Sequence, residues 1–125
     1  MKSRDITREG QVTIRRWYLT PGSWPVRAFI HKIFRRDPDP VHNHPWRWAI
    51  SVVLRGFYVE ILNGERKRRF APSIHFYTHN DFHRIVGVDP VRGCWTLFIV
   101  GPKTGQWEFE DGRVITEKLR DRLDV

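Results

Sequence analysis

The sequence predicts an all-β domain, a barrel or sandwich of short strands. Three observations lead there. Short runs rich in β-branched and aromatic residues recur along the chain. Turn dipeptides such as Pro21-Gly22, Asn63-Gly64 and Asp111-Gly112 separate them. No amphipathic helical pattern appears before the C-terminus. Evenly spaced short strands between turn signals are the mark of these architectures.

Taken in order, Gln11–Tyr18 reads as a strand closed by Pro21-Gly22. Residues 26–34 form a second, followed by the rigid loop Asp37-Pro38-Asp39-Pro40. Residues 49–54 form a third, ending at Arg55-Gly56. Residues 57–62 and 66–70 flank Asn63-Gly64, which predicts a tight hairpin with both turn residues at positive φ. His83–Val88 and Cys94–Val100 flank Asp89-Pro90-Val91-Arg92-Gly93, a hairpin-like break. Residues 107–110 and 114–116 flank Asp111-Gly112. Residues 117–123 form a short C-terminal helical turn with Leu119 and Leu123 on one side. With no repeat, low-complexity stretch or linker, residues 1–125 read as one domain.

The net charge of +8 favours anionic partners: nucleic acid, phosphorylated metabolites or carboxylates. No nucleic-acid motif of recognised spacing accompanies it. The single cysteine, Cys94, excludes an intramolecular disulfide and fits a reducing compartment. The N-terminus opens no apolar run and no stretch approaches the ~20 residues of a membrane helix, so a cytoplasmic protein is expected.

The chemistry concentrates in His42-Asn43-His44 and His83. Two histidines two positions apart on an extended segment project from one face. Neutral imidazole is the commonest protein ligand for divalent transition metals. A third histidine from a neighbouring strand makes a three-point site with positions open for water, oxygen or substrate. Continuing period two from His42 puts His44, Trp46, Trp48, Ile50, Val52 and Leu54 on one core-facing side, unless Pro45 or a bulge resets the register. Trp46 and Trp48 then line the barrel mouth. Against this stands the bland reading: His-x-His pairs occur by chance in loops, and a strand-opening histidine is often satisfied by a carbonyl. His79, in a polar loop, reads as a solvated or backing residue, with a ligand role in reserve. His75 reads as exposed. His31, between Ile30 and Lys32, reads as buried near the pocket.

On these residues the chain resembles a small single-domain cupin, a double-stranded β-helix or jelly-roll barrel of two antiparallel sheets. The first cupin motif runs His-x-His, three or four residues, Glu, six residues, Gly. Here His42-Asn43-His44 and Gly56 match its ends, and Pro45-Trp46 follows the pair as in many phage and bacterial cupins of unassigned function. The second motif brings a proline-containing turn and a histidine entering a strand. Ala71-Pro72-Ser73 and His83-Arg84-Ile85 are similar to it, with Ser73 replacing the usual glycine. The tail from Cys94 to Pro102 and Trp107-Glu108-Phe109 adds to the likeness, which spans residues 28–109. The motif glutamate falls on Trp48 or Ala49, and neither can ligate.

The resemblance therefore implies a three-histidine site, His42, His44 and His83, similar to that of cysteine dioxygenase and related thiol dioxygenases. Its metal would be Fe(II) first, with Zn, Ni, Mn or Cu also accepted by imidazole. A neutral ligand set leaves the ion its full charge and suits a small anionic substrate. Arg47 and Arg84 are the catalytic candidates, each able to hold a carboxylate or phosphate through a bidentate fork. The implied function is a mononuclear non-haem metal oxygenase. The alternative is a non-catalytic cupin that binds a small ligand or an anionic partner such as nucleic acid. Small cupins commonly pair through an edge strand, and Gln11–Tyr18, with Ile14, Trp17 and Tyr18, is the expected homodimer surface.

Two features remain. Cys94 has no adjacent base and reads as core. Arg66-Lys67-Arg68-Arg69 reads as an edge strand guarded against self-pairing, or as a phosphate-binding stripe with Arg4, Arg8, Arg15 and Arg16.

Overall fold

The computed structural model describes residues 2–37 and 42–103. These form eight strands: β1 (Ser3–Arg8), β2 (Gln11–Tyr18), β3 (Arg27–Ile33), β4 (Trp48–Leu62), β5 (Glu65–Phe70), β6 (Ser73–Thr78), β7 (His83–Val88) and β8 (Cys94–Val100). All pairings are antiparallel. The expected hairpin and helical turn beyond residue 106 lie outside the described residues, as do residues 38–41 of the proline loop. No helix among the described residues is long and apolar enough to cross a membrane.

The long strand β4 organises the barrel. Its first part lies between β8 and β6, and its second between β5 and β7. The remaining strands extend the first sheet in the order β1-β2-β3-β8-β4. The sequence reading split β4 at Arg55-Gly56, but the chain bends there without ending. Pairing with β8 shifts register between Val53 and Arg55, and Gly56 takes φ 78°. A bulge beside a glycine at positive φ turns a strand from one sheet into another while its ladder continues.

Asn63 (φ 50°) and Gly64 (φ 83°) make the predicted hairpin between β4 and β5. A second turn of this kind, Glu9-Gly10, joins β1 to β2 and was not anticipated. Residues 89–93 do not close a hairpin: β7 pairs with β4, whereas β8 pairs with β3 and β4, so this turn crosses between sheets. Asp89 shapes it by accepting the N–H groups of Val91 and Arg92. β6 was missed because its pattern is inverted. Ser73, His75 and Tyr77 face inward, while Ile74 and Phe76 are 60% and 73% exposed. His75 is half-buried, its Nε2 meeting Ser73 Oγ at 2.8 Å. β2 is no edge strand, since β1 covers one side and β3 the other. Any pairing of copies through this end of the sheet falls to β1.

Alternation places the core. On β8, Cys94, Thr96, Phe98 and Val100 are buried, and the Cys94 thiol is pushed up to about 12, chiefly by burial, which makes it inert. On the first part of β4 the buried set is Ala49, Ser51 and Val53, the opposite of the expected Ile50, Val52 and Leu54. His42, His44 and Trp46 are nonetheless buried. Asn43 and Pro45 are buried too, so alternation starts only after Trp46: Pro45 cannot donate to a ladder, the Arg47 N–H bonds Pro102 O at 2.8 Å, and the register resets before Ala49. The reset turns Trp48 away from the pocket and onto Gly101. A Cβ at Gly101 would stand 2.4 Å from Trp48 Nε1 and 2.5 Å from Cε2. Gly101→Ala is expected to destabilise the fold by about 1–3 kcal/mol through this overpacking, measured by urea denaturation.

Candidate functional site

Two core clusters, one around Ile14, Ile33, Val53 and Tyr58, the other around Phe29, Trp46, Tyr77 and Phe98, leave a cavity between them. Its volume is about 60 Å³. Ile14, Ile33, Ile85 and Phe98 make the apolar wall; His44, His83, His31, Arg16, Ser51, Tyr58, Tyr77 and Thr96 supply the polar one.

Backbone pairing brings the histidines together. His42 and His83 exchange two hydrogen bonds, His42 N to His83 O at 3.1 Å and His83 N to His42 O at 2.8 Å. The His79 loop straps the same segment: Asn43 Nδ2 donates to His79 O at 3.0 Å, and His79 Nδ1 donates to His44 O at 2.8 Å. His79 is thus a backing residue. Trp46 packs on the His44 ring, with centroids 5.3 Å apart.

His44 Nε2 and His83 Nε2 stand 2.6 Å apart. Two nitrogens each about 2.1 Å from one ion, at a right angle, lie about 3 Å apart. At 2.6 Å the two atoms are at hydrogen-bond distance, somewhat closer than that, so the rings would part slightly to share one ion. His44 Nδ1 is buried with no hydrogen-bond partner, so the protein satisfies only one side of this ring. The His42 ring stands beside both, its centroid 5.5 Å from His83 and 5.9 Å from His44, against 4.6 Å between those two. Among the described residues, no three His, Cys, Asp or Glu side chains already stand in ligating geometry. Burial, then the neighbouring His83, His42, Arg16 and His31, drives the His44 pKa well below the usual histidine value, so its imidazole is neutral at pH 7.

Neither Arg47 nor Arg84 reaches the cavity. Arg47 is exposed. Arg84 follows His83 on β7, so alternation sends it to the other face, where Nε donates to Asp37 O at 3.0 Å. The guanidinium on the cavity wall is Arg16, 4% exposed. β2 alternates: Ile14 and Arg16 point in, whereas Arg15 points out to Asp5 at 2.6 Å. The imagined arginine stripe is therefore split between two faces. Arg16 Nε donates to His31 Nε2 at 2.9 Å, and its guanidinium lies 4.5 Å from the Phe29 ring centroid. Burial first, then the Arg16 charge, drives the His31 pKa well down.

Sequence reasoning missed Glu60. Its side chain is fully buried. Oε2 accepts from Tyr77 Oη at 2.6 Å and Arg69 Nε at 2.8 Å, while Oε1 faces His83 Nδ1 at 3.2 Å. Tyr58 Oη meets Tyr77 Oη at 2.9 Å, extending the network. Burial alone would raise the Glu60 pKa. The hydrogen bonds from His83, Tyr77 and Arg69 outweigh it and hold the carboxyl at about 2. Burial and the nearby carboxylate push both tyrosine pKa values well up, so the phenols stay protonated. The signal was a lone carboxylate inside the apolar run Phe57-Tyr58-Val59-Glu60-Ile61-Leu62.

No known sequence family and no curated protein matches the chain. Solved structures do. KdgF from Halomonas sp. is 19% identical, covering 82% of this chain and 90% of its own, with a TM-score of 0.63. Fe(II) HppE is 9% identical, covering 79% of this chain and 55% of its own, with a TM-score of 0.65. A cupin 2 conserved barrel domain protein from Salinispora arenicola is 14% identical, covering 73% and 76%, with a TM-score of 0.54. Identities this low establish shared architecture, and the eight-strand arrangement around a histidine-lined cavity agrees with it: the chain is a small cupin-fold barrel.

Proposed function

We propose that the chain is a metal-binding cupin whose site is built from His42, His44 and His83 and which acts as a mononuclear non-haem oxygenase on a small anionic substrate. The observation that carries this reading is the approach of His44 Nε2 and His83 Nε2 to 2.6 Å on a cavity wall. The Fe(II) of the similar HppE structure supports iron as the first candidate. Held by these histidines, a divalent ion would supply Lewis acidity and, if iron, redox chemistry.

The chain's own residues do the rest. His44, held neutral, offers a lone pair. Arg16 puts a permanent positive charge on the wall, which favours a carboxylate or phosphate over a neutral group. Tyr58 and Tyr77 present protonated hydroxyls. The isoleucines and Phe98 keep bulk water from the reacting atoms. Because one water needs ~10–15 Å³ on this measure, the cavity accepts a substrate of only a few non-hydrogen atoms.

Protein purified without a polyhistidine tag is expected to carry metal that the His42→Ala, His44→Ala double variant lacks, by elemental analysis. The Fe(II)-loaded protein is expected to consume oxygen with some member of a panel of small thiols and carboxylates, and His83→Ala to abolish this. Equal metal content in wild type and double variant would refute the site.

A second reading has its own observation. Arg66 and Arg84 both face Ile61 across β4, and Arg66 and Arg68 are exposed on β5. A non-catalytic cupin that binds an anionic partner such as nucleic acid would use that face. Salt-sensitive nucleic-acid binding that survives loss of the histidines, without oxygen turnover, would favour it.

A further inference from the structure

The cupin motif places a carboxylate after the histidine pair, and this chain has Trp48 or Ala49 there. A carboxylate nevertheless reaches the site from further along β4. We propose that Glu60 is a positioning residue set one step back from the metal: it holds His83 in the tautomer protonated at Nδ1 and so leaves the Nε2 lone pair, which faces His44 Nε2, available to a metal ion. The assignment rests on the metal-site reading above.

The geometry dictates the tautomer. An ionised carboxylate only accepts hydrogen bonds. Glu60 Oε1 lies 3.2 Å from His83 Nδ1, so that nitrogen must carry the proton. A neutral imidazole protonated at Nδ1 has its lone pair on Nε2, the atom that stands 2.6 Å from His44 Nε2. Arg69 and Tyr77 make the arrangement firm by occupying the other oxygen, Oε2. The carboxylate can neither rotate away nor offer a proton. A metal-bound histidine commonly donates its second ring N–H to a carboxylate, which fixes the ring and raises its basicity. Glu60 and His83 come from paired strands, with Glu60 opposite Ile85 on β7, and the bulge between Val59 and Glu60 sets the side chain beside the ring.

Glu60→Gln tests the idea because it keeps the shape and reverses the chemistry. Two donors, Arg69 and Tyr77, claim the single amide oxygen. The amide NH2 then faces His83 Nδ1 and can only donate, so the ring must protonate at Nε2, the atom meant for the metal. Long-range 1H–15N NMR of the metal-free protein is expected to show His83 protonated at Nδ1 in the wild type and at Nε2 in Glu60→Gln. Zn(II) affinity, measured against a competing chelator, is expected to fall by about 10–100-fold. Tyr77→Phe, which removes a donor but leaves the carboxylate, is expected to keep the wild-type tautomer and affinity within a few-fold. A wild-type His83 protonated at Nε2, an unchanged tautomer in Glu60→Gln, or Zn(II) affinity within threefold of wild type would overturn the assignment. A wild type that binds no Zn(II), Fe(II), Co(II) or Ni(II) would overturn the metal site itself. The two failures separate because the tautomer is read without metal.

Discussion

Glu60→Ala is expected to cost about 3–5 kcal/mol of folding stability, measured as a shift in the urea midpoint at constant m-value. The carboxylate is fully buried and accepts from three donors on three other strands: Arg69 on β5, Tyr77 on β6 and His83 on β7. Removing it leaves a guanidinium that is 16% exposed without its counter-charge and strands the Tyr77 hydroxyl inside the core. Breaking one side of a buried charge pair is far costlier than never having made it, because the abandoned partner keeps its desolvation penalty. Glu65→Ala is the control. Its partner Lys67 is 2.8 Å away on the surface, and solvent replaces that contact with no measurable change. Similar midpoints for the two variants would show that the Glu60 network contributes nothing to the fold.

Gly56→Ala is expected to lose at least about 3 kcal/mol, from two costs that add. The residue takes φ 78°, where a side chain is strained by about 1–2 kcal/mol. Its Cβ would also fall 2.1 Å from Gly93 O, a backbone atom. Gly93 is closely approached in turn: a Cβ added there would lie 2.8 Å from Ile33 O. The two glycines let β4 change sheets directly against the start of β8. Gly64→Ala separates the costs: φ is 83° but nothing lies within 4 Å, so only the strain is felt. Equal losses in the two variants would remove the close approach as a cause.

Much of the barrel was legible in order along the chain. β2, β7 and β8 have the predicted bounds, and the Asn63-Gly64 turn has both φ angles positive. These are local matters: β-branched runs prefer extended backbone, and only a few residue types tolerate the left-handed region. The His-x-His pair and His83 could be singled out as candidates for a similar reason, since imidazole at spacing two is a local pattern, and the fold brings the three rings side by side.

What depends on strand pairing was not legible. Period two states which side chains share a face, yet not which face turns inward. The reset between Trp46 and Ala49 reversed that choice and sent Trp48 to Gly101. Arg16 and Arg69 read as members of basic runs until the sheet put each on the inner face, one beside His31 and one on Glu60. Glu60 is the plainest case. Nothing local to it explains a carboxylate in an apolar strand, because its three partners arrive from β5, β6 and β7. Local sequence was enough for β2, β7 and β8, for the tight turn and for singling out the histidines as candidates. Only the tertiary structure decided which charges are buried, since burying a charge is tolerable only where distant strands deliver its partners.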